Sequence, residues 1–311
     1  MTASVGVVAM AYGTPRDRDD IARYYTDIRR GHPPTPEALA ELVARYDAIG
    51  GTFPLRAITE AQCTELQRAL DALDPGCYAV SLGQKHSAPT VEDAVGAVAA
   101  AGVGSVVGLV LAPHYSAYSV GQYAARLAAA AGDLPATTIE SWHLLPEYLD
   151  FLAAAVRGAQ QRLGVTAEVV FTAHSLPARI AQTGDAYPAQ LAATAAAVAS
   201  RVGCDRWSVA WQSAGRTPEP WLGPDIGTVI NELAQQGVPG VVVCPCGFVA
   251  DHLEVIYDLD IEAASIARDA RIAFARTRSL NADATVVRAL ANVVAAAATA
   301  PAATARAPRR H

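Results

Sequence analysis

Glu254, Asp258 and Glu262 stand at i, i+4 and i+8 in the stretch VVVCPCGFVADHLEVIYDLDIE, which runs from Val241 to Glu262. If the chain turns helical after its apolar opening, the three carboxylates form a ladder on one face, roughly one turn apart. Like charges so spaced repel each other in an isolated helix. Two readings stay open at this level, a solvated face, which is the usual meaning of a charge row, and a route for cations. His252 does not decide between them. Further chemistry-bearing residues gather just past apolar runs, namely Tyr12, Lys85, His86, His114, Tyr115, His174, Gln212 and Glu254. A lone histidine is more often structural than catalytic, but histidines after three different strands argue for a site. One imidazole with one carboxylate, His174 and Glu254, is a weak and open divalent-metal site, suited to passing a metal on. A structural zinc site would need about four ligands and more thiolate.

The elements that must position these groups follow from periodicity. Apolar strand-like runs recur at Val5 to Met10, Tyr78 to Leu82, Ser105 to Leu111, Glu168 to Phe171, Trp207 to Trp211 and Val241 to Cys244. Helix-period segments lie between and after them, among them Asp19 to Arg29, Val120 to Ala131, Tyr148 to Arg162, Leu253 to Asp269 and Asp283 to Ala298. Such alternation predicts an α/β fold of parallel sheets with helices on both faces. The halves echo each other. Ala11-Tyr-Gly-Thr-Pro15 is matched by Ala173-His-Ser-Leu-Pro177, Lys85 to Pro89 by Gln212-Ser213 and the segment Pro218 to Asp225, and Pro113-His114-Tyr115 by Pro245-Cys246-Gly247. Two similar lobes are therefore expected, over residues 1–148 and 149–298, with a disordered tail over 299–311. Ligands of open parallel sheets bind beyond the carboxyl ends of the strands, so two facing lobes would bring the polar residues to one cleft.

Composition narrows the function classes. The chain has 311 residues, 52% hydrophobic, with a formal net charge of -6. No stretch of about 18 apolar residues occurs, so a membrane span is not expected. The start lacks a basic region and a long apolar run, which predicts a cytoplasmic protein. Acidic balance, with basic residues clustered only at Arg306 to Arg310, argues against a nucleic-acid partner. The five cysteines, Cys63, Cys77, Cys204, Cys244 and Cys246, show no Cys-x-x-Cys spacing and do not read as a disulfide framework. Among 24 basic residues Lys85 is the single lysine, a pattern that arginine-favouring codon usage explains in general but not at that position. No Gly-x-Gly-x-x-Gly after a strand, Walker loop, His-Glu-x-x-His or Gly-x-Ser-x-Gly is present, which removes most of the case for nucleotide binding and triad hydrolysis.

Seven stretches in order resemble one family: AYGTP at 11, YYTDIRRG at 24, ARYDAIGG at 44, APHYSAYSVGQY at 112, TAHSLP at 172, WQSAGRTPEPWLGPD at 211 and GFVADHLEVIYDLD at 247. The chain resembles the ferrochelatases, and among them the monofunctional bacterial type that inserts ferrous iron into coproporphyrin III. The resemblance implies two Rossmann-like, chelatase-like lobes with a cleft between them. It implies that His174 and Glu254 lie on one face of the porphyrin as catalytic and metal-binding residues, with Tyr12 on the other face as an axial ligand of the product iron. Arg29, Arg45, Tyr46 and Tyr123 match residues that hold the macrocycle and its propionates. Asp258 and Glu262 match an outer metal route, which turns the ladder from solvated face toward function. Phe53 departs from the pattern, since relatives often carry a serine there that bonds a propionate, and a phenyl ring cannot make that bond.

Ferrous iron is thus expected as substrate, with no prosthetic group. The resemblance implies no [2Fe-2S] cluster here, because relatives that carry one bind it partly through a group of cysteines near the C-terminus, whereas no cysteine follows Cys246 and the five present do not stand at that group's positions. The resemblance further implies a monomer without stable membrane insertion that meets other haem-pathway enzymes only transiently. The rival readings are a protoporphyrin IX ferrochelatase, a chelatase that loads cobalt or nickel into another tetrapyrrole, and a porphyrin or haem carrier with Tyr12 as permanent ligand. The remaining alternative is an α/β domain whose histidines belong to the core.

Overall fold

β1 (Val5–Ala11) reads VGVVAMA and is buried at every position, the pattern of a strand covered on both faces. In the computed structural model, which describes residues 3–300, it lies inside a four-stranded parallel sheet of order β2-β1-β3-β4. Its partners are β2 (Tyr78–Gln84), β3 (Ser105–Val110) and β4 (Ala136–Ile139). The second sheet repeats the order as β6-β5-β7-β8, built from β5 (Ala167–His174), β6 (Trp207–Gln212), β7 (Gly240–Cys244) and β8 (Ala273–Arg276). The two lobes expected from the sequence echoes therefore share one topology, and each echo sits after equivalent strands.

The likeness reaches into the loops. The Gln84 amide donates to Pro89 O at 2.8 Å, and Thr90 then caps α4 (Val91–Ala100) through the amide of Asp93. In the second lobe the Trp211 amide donates to Pro224 O at 2.9 Å, and Asp225 caps α9 (Ile226–Gln235). Each loop leaves a strand end, returns to it and starts a helix with a side-chain oxygen on a free amide.

Two short strands, β4 and β8, are additions to the elements expected from sequence. β4 is the edge strand ATTI and β8 is AFAR; neither carries an apolar run long enough to register. Leu109 and Val107 of the first sheet share one apolar cluster with Val169 and Phe171 of the second. α12 (Ala284–Thr299) follows the second sheet in the chain but packs on α3 (Pro54–Leu73), β3 and β4 of the first, whereas α6 (Pro146–Leu163) packs on β7, β8 and α8 (Tyr187–Val202). From residue 301 on, the expected tail lies outside the described residues.

The segment Leu253–Asp269 is not a plain α-helix. After α10 (Leu253–Val255) it widens into a π-helical stretch, Ile256–Ala263, and returns to α in α11 (Ala264–Asp269). Wider i→i+5 turns of this kind recur at functional sites. Among the described residues no helix is long and apolar enough to cross a membrane. All five cysteines are free, and burial pushes the Cys63 and Cys244 thiols up to about 12.

Candidate active site

His174 is the last residue of β5, where the strand gives out into the Ser175 turn. Its Nδ1 bonds the Ser175 carbonyl, which can only accept, so Nδ1 carries a proton. Nε2 then faces Glu254, 3.5 Å from Oε1, and both side chains keep 33% of their surface open. Burial alone would favour the neutral ring, but the charge of Glu254 and its hydrogen bond outweigh that and raise the His174 pKa. Burial likewise opposes the Glu254 carboxylate, yet His174 and His252 hold it well below the usual carboxylate range. His174 and Glu254 thus each favour the charged form of the other.

Glu254 reaches this position through backbone constraints. Gly247 donates its amide to Thr172 O at 2.9 Å, and a Cβ there would lie 2.3 Å from the Ala173 Cβ. Only glycine lets the loop after β7 lie that close to β5. Gln212 Nε2 then donates to Glu254 O at 2.8 Å, tying the start of α10 to the end of β6. His252 adds a second imidazole, with Nε2 3.5 Å from Glu254 Oε2. Its two-residue offset in an irregular turn gave the sequence no means of assigning it.

On the first lobe Tyr12 follows β1, 41% exposed, with its ring 4.6 Å from that of His86. Burial of its hydroxyl, and after it the charges of Glu254 and Asp27, push its pKa up, so Tyr12 is a neutral phenol within the field of the opposite lobe's carboxylate. Lys85 Nζ lies 5.9 Å from the Tyr12 ring and 5.4 Å from the Tyr123 ring. Burial, then Arg126 and Arg30, lower its pKa to about 8. His86 Nδ1 pairs with Asp27 at 2.6 Å.

The three carboxylates differ in burial, with the middle one the deepest. Glu254 is part-buried, Asp258 buried and Glu262 exposed. Asp258 is occupied on both oxygens, by Arg45 and by Ser213, while burial pushes its pKa up to about 6. Among the described residues no group of three or more histidine, cysteine or acidic side chains converges to hold a metal ion. Glu254 and Asp258 each have their own side-chain partners.

The other candidate residues are dispersed. Tyr46 is 4% exposed, 3.5 Å from Thr14 Oγ1, and stacks on Phe53 with centroids 4.6 Å apart. Tyr123 is buried in the first lobe's core against α4 residues. Arg45 lies over the Tyr257 ring at 4.4 Å as well as on Asp258. Arg29 is exposed at the end of α1 (Ile21–Ile28), bonding His32 O at 3.2 Å and facing Tyr25. His114, expected in the cleft from its place after β3, is 2% exposed and donates to or accepts from Thr194 of the second lobe at 2.8 Å. Burial lowers its pKa to about 3. It is an interlobe core histidine, and neighbouring Tyr115 is likewise tied by its amide to Gln190. The strand-end rule found the right region but could not tell a side chain that faces the cleft from one that faces the other lobe.

Comparisons with known proteins bear on the family and the fold. The sequence model of the family described as Ferrochelatase matches residues 4–298. The chain is 44% identical over 297 residues to the coproporphyrin III ferrochelatase of Geobacillus thermodenitrificans, covering 93% of this chain and 94% of the relative. It is 41% identical over 296 residues to that of Bacillus subtilis, covering 92% and 96%. Among solved structures, SirB from Bacillus subtilis with Fe3+ superposes with a TM-score of 0.58 at 12% identity, over 95% of this chain and 96% of SirB. CbiX, described as the terminal enzyme for biosynthesis of siroheme in denitrifying bacteria, gives 0.57 at 14%, over 94% and 98%. At such identities these two speak for the two-lobed fold alone.

Proposed function

Because this chain belongs to the ferrochelatase family, we propose that it inserts ferrous iron into coproporphyrin III, giving iron coproporphyrin in haem biosynthesis. It is an enzyme of porphyrin metallation, and the observation that carries the reading of its site is the His174–Glu254 pair, 3.5 Å apart at the end of β5, the strand equivalent to the one that Tyr12 follows in the other lobe.

The reaction exchanges one divalent cation for two pyrrole protons, so the site needs a proton acceptor on the side where the metal enters. In our reading that acceptor is the His174–Glu254 pair. Its imidazole binds a proton more readily than a free ring does, because of the negative carboxylate beside it. A divalent cation arriving beside the pair opposes an imidazolium charge and favours loss of that proton to solvent through the pair's open surface, which frees the Nε2 lone pair to take the two pyrrole protons one after the other and pass each to solvent by the same way. Asp258 and Glu262 follow Glu254 along the same helical segment and would pass the cation toward it. A flat porphyrin keeps its N–H groups in plane, so the lobes must hold it bent with nitrogen lone pairs aimed at His174. Tyr12, a neutral phenol, stands on the opposite face, placed to meet the iron after insertion. Arg29, Arg45, Tyr46, Tyr123 and the wall at Phe53 would hold the macrocycle, and Lys85 adds an ammonium beside Tyr12 and Tyr123.

The substrate reading is tested by anaerobic insertion of ferrous iron into coproporphyrin III and protoporphyrin IX, both monomeric in the same detergent. Four propionates engage donors that two vinyl groups leave unpaired. We expect coproporphyrin III to be favoured by at least about tenfold in kcat/KM, the worth of roughly 1.4 kcal/mol. Equal or faster insertion into protoporphyrin IX would remove the substrate assignment and leave metal insertion standing.

A further inference from the structure

We propose that Arg276 is a positioning residue for metal insertion, clamping the backbone on both sides of Glu254 and Asp258 through Asp251 and Asp260. The proposal rests on the reading of the site given above. Arg276 ends β8 and lies outside the cleft. Its Nε and Nη2 bond the two oxygens of Asp260 at 2.7 and 2.8 Å, a two-pronged pair, and its Nη1 reaches Asp251 Oδ1 at 3.1 Å. The side chain is only 15% exposed. Asp251 stands just ahead of α10, and Asp260 lies within the π-helical stretch. One guanidinium thus spans the turn that carries both carboxylates.

The turn needs such a clamp. A π-helical turn is rare and strained relative to an α turn, and it persists where its surroundings fix it. Relaxation to i→i+4 bonding would rotate Glu254 against His174 and move Asp258 from Ser213. Asp260, two residues after Asp258, faces the opposite side, so a bond to it restrains rotation without touching the cleft. Asp251 is held at the other end by more than Arg276. It accepts from Ser279 Oγ at 2.7 Å and Asn281 Nδ2 at 3.0 Å, and its amide donates to Asn281 Oδ1 at 2.9 Å. Asn281 sits at φ 47°, a left-handed conformation that asparagine tolerates. Its carbonyl accepts from Gln62 Nε2 of α3 at 2.8 Å, which anchors the clamp to the first lobe. The planar fork of arginine fixes angle as well as distance, which a lysine ammonium does not.

The test uses the full chain with Arg276→Met, Arg276→Lys and Asp260→Asn, and a core variant remote from the clamp, Leu191→Ala, as a control for lost stability. Zinc insertion into coproporphyrin III, followed by fluorescence, gives kcat and the metal KM; quenching gives the porphyrin Kd; amide exchange is read over residues 252–263. Arg276→Met should lower kcat by at least about tenfold with porphyrin Kd unchanged and exchange accelerated over 252–263 alone. Arg276→Lys should recover part of the rate. Asp260→Asn should fall between, and because Asp260 is 38% exposed that variant keeps the test alive if Arg276→Met fails to fold. The proposal is overturned if the variants track Leu191→Ala, losing stability with kcat kept. If the wild type inserts no metal, the chelatase reading falls, and unchanged exchange over 252–263 in Arg276→Met would overturn the clamp independently.

Discussion

Arg45 on α2 (Pro36–Ala48) and Asp258 on the π-helical stretch are each other's ion-pair partners, joining a residue assigned by family resemblance to substrate carboxylates with one assigned to the metal route. Asp258 is 5% exposed and Ser213 takes its second oxygen. Arg45→Gln should therefore destabilise the protein by about 2 kcal/mol, because a buried carboxylate loses its cation and must take up a proton instead. Asp258→Asn should cost less, since Arg45 keeps 24% of its side chain open to water. The double variant should recover part of the loss. Urea unfolding at neutral pH measures all three, and Arg45→Gln at wild-type stability would show that the pair carries no net energy.

Phe53 precedes α3 as its N-cap residue and offers no side-chain cap, while its ring stacks on Tyr46. Phe53→Ser should supply the cap, worth about 1 kcal/mol, and lose the stack, worth roughly 0.5 to 1.5 kcal/mol. The ring also packs against the cluster of Ile21, Tyr46 and Leu253, so a net loss of about 1 to 2 kcal/mol is the expected outcome. The new hydroxyl should also tighten coproporphyrin III binding, read by fluorescence quenching; weaker binding would mean that the ring itself is the contact.

Glu92 on α4 is held down to about 2 chiefly by its hydrogen bond from Arg126, against the opposing effect of partial burial. Arg126 Nη1 also donates to Lys85 O at 2.8 Å, fixing the loop that carries the lone lysine. A carboxylate with a depressed folded pKa adds stability above its unfolded value and loses it as pH falls through the folded one. Glu92→Gln should thus differ most from wild type near neutral pH, and the gap should close between about pH 4.5 and pH 2. Urea midpoints across that window decide it; a gap that widens on acidification would contradict the assignment. With Glu92 half exposed, the effect will shrink in high salt.

Particular residues show what the sequence could and could not carry. The run Val5 to Met10 became β1, and Val120 to Ala131 became α5 with the same ends, because continuous apolar runs and long amphipathic periods leave few alternatives. ATTI and AFAR were silent since edge strands need only backbone partners. His174 and Glu254 were legible because a strand end and a helix start fix where each lies. The π-helical turn was not, as i→i+5 bonding leaves no mark in a carboxylate spacing that suits an α-helix equally well. His114 shows the same limit from the other side. Its place after β3 is right, but which way its ring turned depends on Thr194, far along the chain.

Single-turnover insertion of ferrous iron into coproporphyrin III, under anaerobic conditions and followed by absorbance, compares the wild type with His174→Ala and Glu254→Gln. The two side chains meet at 3.5 Å, and the proposed mechanism has them act on protons and metal and leaves the propionates to other residues. The wild type should convert the porphyrin fully, and each variant should be slower by about a hundredfold or more, with porphyrin Kd within about twofold of wild type. Near-normal insertion by either variant, or none by the wild type, would contradict the site as described.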